Sequence, residues 1–268
     1  MRNPMDIQLL IEEHDSRGSW NMAADEFLLL RALDTGQPAV RIYSWDTPTV
    51  SLGYFQNAED FHRSGRFRGL PAVRRLSGGG AILHDQEITY SFAVPAGFTA
   101  APDFARLYEA AHSGIRHVLQ NYGVAVLPRG MTRTAPREPF LCFSRGDRND
   151  LILQGVKVAG SAQRRRRGAV LQHGSVLLDA ARQAPELPGI RNLVPSFAPD
   201  GRIRNQLGTS IVSELLALRS PAVRRDLHAV NPATCFSAAE SEQIQSLEHT
   251  RYRELDQIRS QAMVERDS

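Results

Sequence analysis

Apolar and polar positions change period several times along the chain, and each change marks an element. Ala23, Phe27 and Leu30 recur at helical spacing behind Ser19, which is suited to cap a helix, and Gly36 stands where that helix would stop. Short β-rich runs follow at residues 40–43 and 49–52, then a polar helical turn at 58–63. Residues 72–76 read as a strand entering Ser77-Gly78-Gly79-Gly80. Ile88, Tyr90, Phe92 and Val94 then alternate with Thr89, Ser91 and Ala93, a period of two that predicts a half-buried strand. A helix is expected over 103–121 and a short strand over 124–127. Three apolar runs at 151–153, 156–159 and 169–178, broken at Gln154-Gly155 and at four consecutive arginines, predict a strand meander. The C-terminal third reads as mostly helical, with Ser237 and Glu240 at capping-box spacing. Strands interleaved with helices predict a mixed α/β or α+β domain. The absence of one strict strand–helix repeat speaks against a barrel or a Rossmann sheet.

A chain of 268 residues suits one large domain, or one domain with a small appendage. Its 42% apolar and 23% charged residues exclude disordered, collagenous and disulfide-framework classes. No apolar stretch approaches a membrane span and the first fifteen residues lack a signal-peptide core, so a cytoplasmic protein is expected. Two cysteines, Cys142 and Cys235, are too few for a cysteine zinc cluster, and no metal site is expected. A formal charge of +3 does not argue for nucleic acid. One detail of the charge does matter: of the 32 basic side chains, 31 are arginine, and Lys157 is the single lysine. Lysine is a compact point charge that can lose its proton and reach one atom in a tight pocket, so Lys157 is a candidate site residue.

Several places could carry chemistry. Arg74-Arg75-Leu76-Ser77-Gly78-Gly79-Gly80 offers glycine backbone beside two guanidinium forks, read either as an anion or carbonyl cradle or as a flexible turn. It is not a P-loop, because no Gly-Lys-Ser/Thr follows. His84 lies four residues beyond, open to a role as base, orienter or structural residue, while His173 sits in an apolar run that favours core hydrogen bonding. Lys157 stands between Val156 and Val158 on a strand that turns into Gly160-Ser161-Ala162, suited to grip a carbonyl or phosphate oxygen or to act on a nearby thiol. Cys142, fifteen residues upstream, is either a buried hydrophobe or a nucleophile on the irregular, Pro-, Gly- and Arg-rich segment 128–148. Arg164, Arg165, Arg166 and Arg167 read as a solvated hairpin tip, or as a docking site for an acidic protein.

Together, Asn21-Met22-Ala23-Ala24-Asp25, the run from Val73 to Asp85, Lys157-Val158-Ala159-Gly160-Ser161-Ala162-Gln163 and Gln172-His173-Gly174-Ser175 resemble the lipoate–protein ligase and octanoyltransferase superfamily. Biotin protein ligases share its catalytic domain. Leu141-Cys142-Phe143 ahead of the lysine motif is similar to octanoyltransferases of the LipM type. The resemblance implies a mixed sheet flanked by helices over residues 1–235, with a C-terminal helix and tail, 236–268, packed on the same domain. It implies octanoyl transfer from acyl carrier protein to the target lysine of a lipoyl domain, such as glycine cleavage H protein, through a thioester on Cys142 with Lys157 at the acyl carbonyl. Arg74, Arg75, Ser77, Gly78, Gly79, Gly80, His84, Gly160, Ser161, Ala162, His173 and Gly174 would hold the acyl substrate. No cofactor is expected; ATP and Mg belong only to the alternative, a lipoate–protein ligase that forms an adenylate. A non-catalytic acyl- or carrier-binding module is the second alternative.

Overall fold

The structure, a computed structural model, describes residues 6–99, 104–130, 140–144, 146–219, 232–233 and 236–252. Cys235, with the expected boundary at 235, and the tail beyond Tyr252 lie outside these residues.

Strand β1 (Gln8–Ile11) runs through helix α1 (Gly18–Thr35) into β2 (Ala39–Tyr43), which pairs parallel with it. A three-stranded sheet follows, ordered β4-β3-β5, from β3 (Thr49–Leu52), β4 (Ala72–Arg74) and β5 (Ile82–His84), with α2 (Ala58–Ser64) between the first two. The chain then returns to the main sheet with β6 (Glu87–Val94) and leaves it for α3 (Phe104–Asn121). The remaining elements are β7 (Leu127–Pro128), β8 (Leu151–Leu153), β9 (Val156–Arg166), β10 (Ala169–Leu177), α4 (Ile190–Leu193), α5 (Ile203–Arg219), β11 (Pro232–Ala233) and α6 (Ala238–Arg251). Among the described residues the main sheet is mixed, with eight strands ordered β11-β1-β2-β6-β10-β9-β8-β7.

The expected alternation in β6 is present, but the strand is buried on both faces rather than one. Ile88, Tyr90, Phe92 and Val94 join α3 and α5 in the larger core. The opposite face carries Thr89 and Ser91, which remain buried because Thr89 donates to Glu87 and Ser91 to Asp25. That polar face lies beneath α1 and the small sheet, and the site forms between them. Outside α1 packs α6, capped as expected by Ser237 and Glu240 and joined through Arg31–Glu240 at 2.6 Å.

Several expectations are corrected. Arg17, not Ser19, is the N-cap of α1, and the Ser19 hydroxyl donates to Glu248 of α6 at 2.6 Å, a contact available only in the tertiary structure. The strand expected over 124–127 occupies Leu127–Pro128. Arg164, Arg165 and Arg166 belong to β9, and the turn is made by Arg167 and Gly168 at positive φ. Two of their guanidinium groups lie on aromatic faces, Arg164 Cζ 4.9 Å from the centre of the Tyr54 ring and Arg165 Cζ 3.8 Å from that of Phe104.

Candidate active site

The hairpin of β8 and β9 places the lysine. Its turn at Gln154-Gly155 pairs Leu153 with Val156 and Ile152 with Lys157, and a bulge then sets Leu151 opposite Ala159. Asp150, just before β8, meets Lys157 from the side, with Oδ1 2.9 Å from Nζ. Burial pushes the Asp150 carboxyl up, and the Lys157 charge opposes it. Gly160 makes the room: a Cβ there would lie 2.5 Å from Lys157 Cε and 2.9 Å from Nζ.

A different part of the chain delivers the cysteine. Ala81 bridges to Leu141, with Cys142 N donating to Ala81 O at 2.7 Å and Ala81 N to Phe140 O at 2.9 Å. A single turn of 3₁₀ helix, Cys142–Ser144, follows. The Cys142 sulfur thus lies 3.7 Å from Lys157 Nζ, which also donates to the Cys142 carbonyl at 3.3 Å. Lys157 is buried and Cys142 half-buried.

The arginine and glycine loop is built differently from an open cradle. Arg75 is buried and donates to Ser51 O at 2.8 Å, Gly78 O at 2.7 Å and Gly80 O at 2.6 Å. Arg74 donates to the carbonyls of Gly53, Tyr54 and Gln56 at 2.7–3.1 Å. Both forks therefore close on backbone carbonyls and brace the loop. Of the three glycines only Gly79 has positive φ, at 91°, and its carbonyl lies where any side chain at Gly53 would sit.

Two histidines join the layers. His84 Nε2 meets Ser51 Oγ at 2.7 Å and Nδ1 meets Glu87 Oε1 at 2.5 Å, with the ring stacked 3.8 Å from Trp45. Burial drives its pKa down, against the pull of Glu87. His173 Nδ1 meets Asp25 Oδ2 at 3.1 Å and Nε2 meets the Ser77 hydroxyl. Asp25 also accepts from Arg41, Ser91 and Tyr43. Burial raises its carboxyl, but the His173 hydrogen bond and the Arg41 charge outweigh this and hold it below the usual carboxylate range.

Between the two sheets lies a cleft of about 430 Å³, its open mouth included. Cys142, Lys157, Arg75, His84, His173, Gly160, Ser161, Ala162 and Gly174 all line it, together with Met22, Tyr43 and Phe143. Arg74, Ser77, Gly78, Gly79 and Gly80 frame the loop beside it and are not among its lining. Of the partners of these groups, Asp150, Glu87 and Ser51 are not singled out by the sequence, and Asp25 stands there only as the end of the Asn21–Asp25 motif, with no role attached. A signal existed for Asp150, since a two-residue hairpin at Gln154-Gly155 brings residue 150 back toward the lysine strand. Among the described residues no cluster of three or more His, Cys, Asp or Glu side chains is gathered as a metal site requires. No helix among them is long and apolar enough to cross a membrane.

Residues 17–187 match the model of the lipoyl protein ligase A/B catalytic domain. The octanoyltransferase LipM of Brevibacillus brevis is 40% identical over 169 residues, 59% of this chain and 61% of that protein, so the match spans about three fifths of that relative. The octanoyltransferase LipM of Kyrpidia tusciae is 36% identical over 222 residues, 78% of each chain. Among solved structures, a candidate lipoate protein ligase of T. acidophilum with bound lipoic acid superposes with a TM-score of 0.68 at 20% identity, covering 91% of this chain and 95% of that one. Lipoate-protein ligase A bound with ATP gives 0.65 at 19% identity, with the same coverage. At these identities the two structures share the fold.

Proposed function

The chain belongs to the lipoyl protein ligase A/B catalytic domain family, and from that membership and the pairing of Cys142 with Lys157 we propose that it is an octanoyltransferase of protein lipoylation. The donor is octanoyl-acyl carrier protein and the acceptor the target lysine of a lipoyl domain, such as glycine cleavage H protein, in the cytoplasm. The observation that carries the reading is the Cys142 sulfur 3.7 Å from the Lys157 ammonium inside a cleft lined by both.

Transfer proceeds in two steps. The Cys142 thiolate attacks the octanoyl thioester carbonyl, the carbonyl oxygen takes up the negative charge, and the carrier thiolate leaves. The Lys157 ammonium compensates charge on the sulfur and then on that oxygen. The acceptor amine next attacks the acyl-cysteine, a C–N bond forms, the C–S bond breaks and the thiolate is regenerated. Arg75 and Arg74 support the cleft by bracing its loop, and the small residues Gly160, Ser161, Ala162 and Gly174 leave space for the acyl chain. Neither ATP nor a metal takes part.

Intact-mass measurement tests this. Protein incubated with octanoyl-carrier should gain one octanoyl group, lose it on addition of a lipoyl domain, and gain none as Cys142→Ser. Transfer of free acid that requires ATP would replace the reading with the ligase, and no product from either donor would leave a binding module.

A further inference from the structure

An amine that attacks a thioester forms an adduct whose nitrogen carries one proton too many. Unless that proton leaves, the amine is expelled in preference to the thiolate and the acyl-cysteine is restored. Some group in the cleft must accept it.

Lys157 is poorly placed for the task. Its ammonium donates to Asp150 Oδ1 at 2.9 Å, Cys142 O at 3.3 Å and the Cys142 sulfur at 3.7 Å, so its three hydrogens have three acceptors. An ammonium with every hydrogen engaged presents no lone pair to an incoming amine. The two histidines of the cleft differ from each other in charge. Each has a carboxylate on Nδ1. That of His84 is Glu87, at 2.5 Å, but the Arg75 guanidinium stands beside the same histidine and donates to Ser51 Oγ, the hydroxyl on its Nε2, at 3.2 Å. A second positive charge there is opposed by the first. The carboxylate of His173 is Asp25, which is held ionised. Arg41, which also contacts Asp25, is matched by a bidentate pair with Glu12 at 2.6 and 3.0 Å, so the Asp25 charge is left to compensate an imidazolium. An ionised carboxylate only accepts hydrogen bonds, so Nδ1 of His173 carries the hydrogen and Nε2 the lone pair, on which the Ser77 hydroxyl donates at rest.

We propose that His173 is the base of the second step and Asp25 the residue that positions it. Resting on the acyl-cysteine reading above, the step balances as follows. The adduct N–H breaks and Nε2–H forms, the imidazolium pairs with Asp25, the C–S bond to Cys142 then breaks, and the proton passes from His173 to water before the next cycle. A carboxylate, an imidazole and a hydroxyl in series are the elements of a general-base relay, here turned toward an incoming amine rather than toward the nucleophile of the chain itself.

The test compares two nucleophiles on one acyl-enzyme. Wild type, His173→Asn and Asp25→Asn are loaded from a small octanoyl thioester, loading is read by intact mass, and each is mixed with a lipoyl domain or with hydroxylamine at neutral pH. Asparagine at 173 keeps an N–H for Asp25 and deletes Nε2; asparagine at 25 removes the charge and permits the wrong tautomer. The nitrogen of the hydroxylamine adduct is acidic enough to lose its proton to water unaided. The ratio of the lipoyl-domain rate to the hydroxylamine rate should fall by about 10²-fold or more in both variants. An equal loss with both nucleophiles, or no loss, would show a structural role and overturn the proposal. Wild type that acquires no octanoyl group would remove the acyl-cysteine premise itself, an outcome distinct from a loaded enzyme whose ratio is unmoved.

Discussion

Substitution of Gly160 by alanine isolates the contribution of lysine placement. The residue lies outside the positive-φ region, so alanine is acceptable to the backbone, and the atoms its Cβ would meet are the far end of a side chain. Carbon atoms in contact settle about 3.5 Å apart, whereas the Cβ would begin 2.5 Å from Lys157 Cε. Lys157 must retreat by about 1 Å, and the Asp150 oxygen, 3.1 Å from the new atom, blocks one direction. A displacement of that size at a reacting centre costs about 10²-fold in rate, equivalent to about 2.7 kcal/mol of activation free energy. The fold should survive, since the ammonium can move toward the open cleft and the methyl leaves no cavity. The assay is single-turnover formation of octanoyl-Cys142 followed by intact mass, alongside thermal unfolding. The expected result is a loss of about 10²-fold in acylation with a shift in Tm of a few degrees at most. Acylation within about threefold of wild type would refute the idea that the position of Lys157, and not merely its presence, drives the chemistry.

Other consequences are accessible to routine measurement. Lys157→Arg should also lose at least about 10²-fold in transfer, because a forked guanidinium does not fit the space held open by Gly160; full activity would refute the role of the point charge. His112 meets Ser161 Oγ at 3.0 Å, and burial pushes its pKa down to about 4 from 6.5. The neutral ring is favoured in the fold, so stability is fully present above pH 6.5 and falls by about 3 kcal/mol as pH drops to about 4. Denaturant unfolding of His112→Gln relative to wild type should lack that part of the slope, and parallel curves would contradict the assignment. If the exposed Arg166 and Arg167 help dock an acidic carrier, replacing both by serine should lower kcat/KM several-fold at low salt, with the difference vanishing at high salt. A salt-independent difference would point to damage elsewhere.

Local signals in the chain carried much of the architecture. The period of β6, the 18-residue span of α3 and the capping box of α6 are decided by near neighbours, so they are legible in the residues themselves. Ser19 illustrates the opposite case. It carries the chemistry of a cap, but Glu248, 229 residues away, competes for its hydroxyl. Strand β5 is three residues long and is defined by pairing with β3, which no period over so short a span can reveal. The site divides in the same way. Cys142 and Lys157 stood out by rarity and motif, whereas the link from His173 to Asp25 joins residues 148 apart and exists only once β10 lies beneath α1. The loop arginines show that residue type alone does not give direction: both carry the right charge for a ligand, and both turn it on backbone carbonyls.

The single lysine of this chain is buried, and its amine is engaged by a carboxylate and a carbonyl. Its remaining basic side chains are guanidinium groups, which stay protonated and do not attack thioesters. With the acyl group held on Cys142 as proposed, no lysine other than the buried Lys157 could compete with the acceptor. Self-modification, a standing hazard for proteins that carry reactive thioesters, is thus confined by composition to one position, and any amide found on a lysine of this chain after turnover would have to be at residue 157.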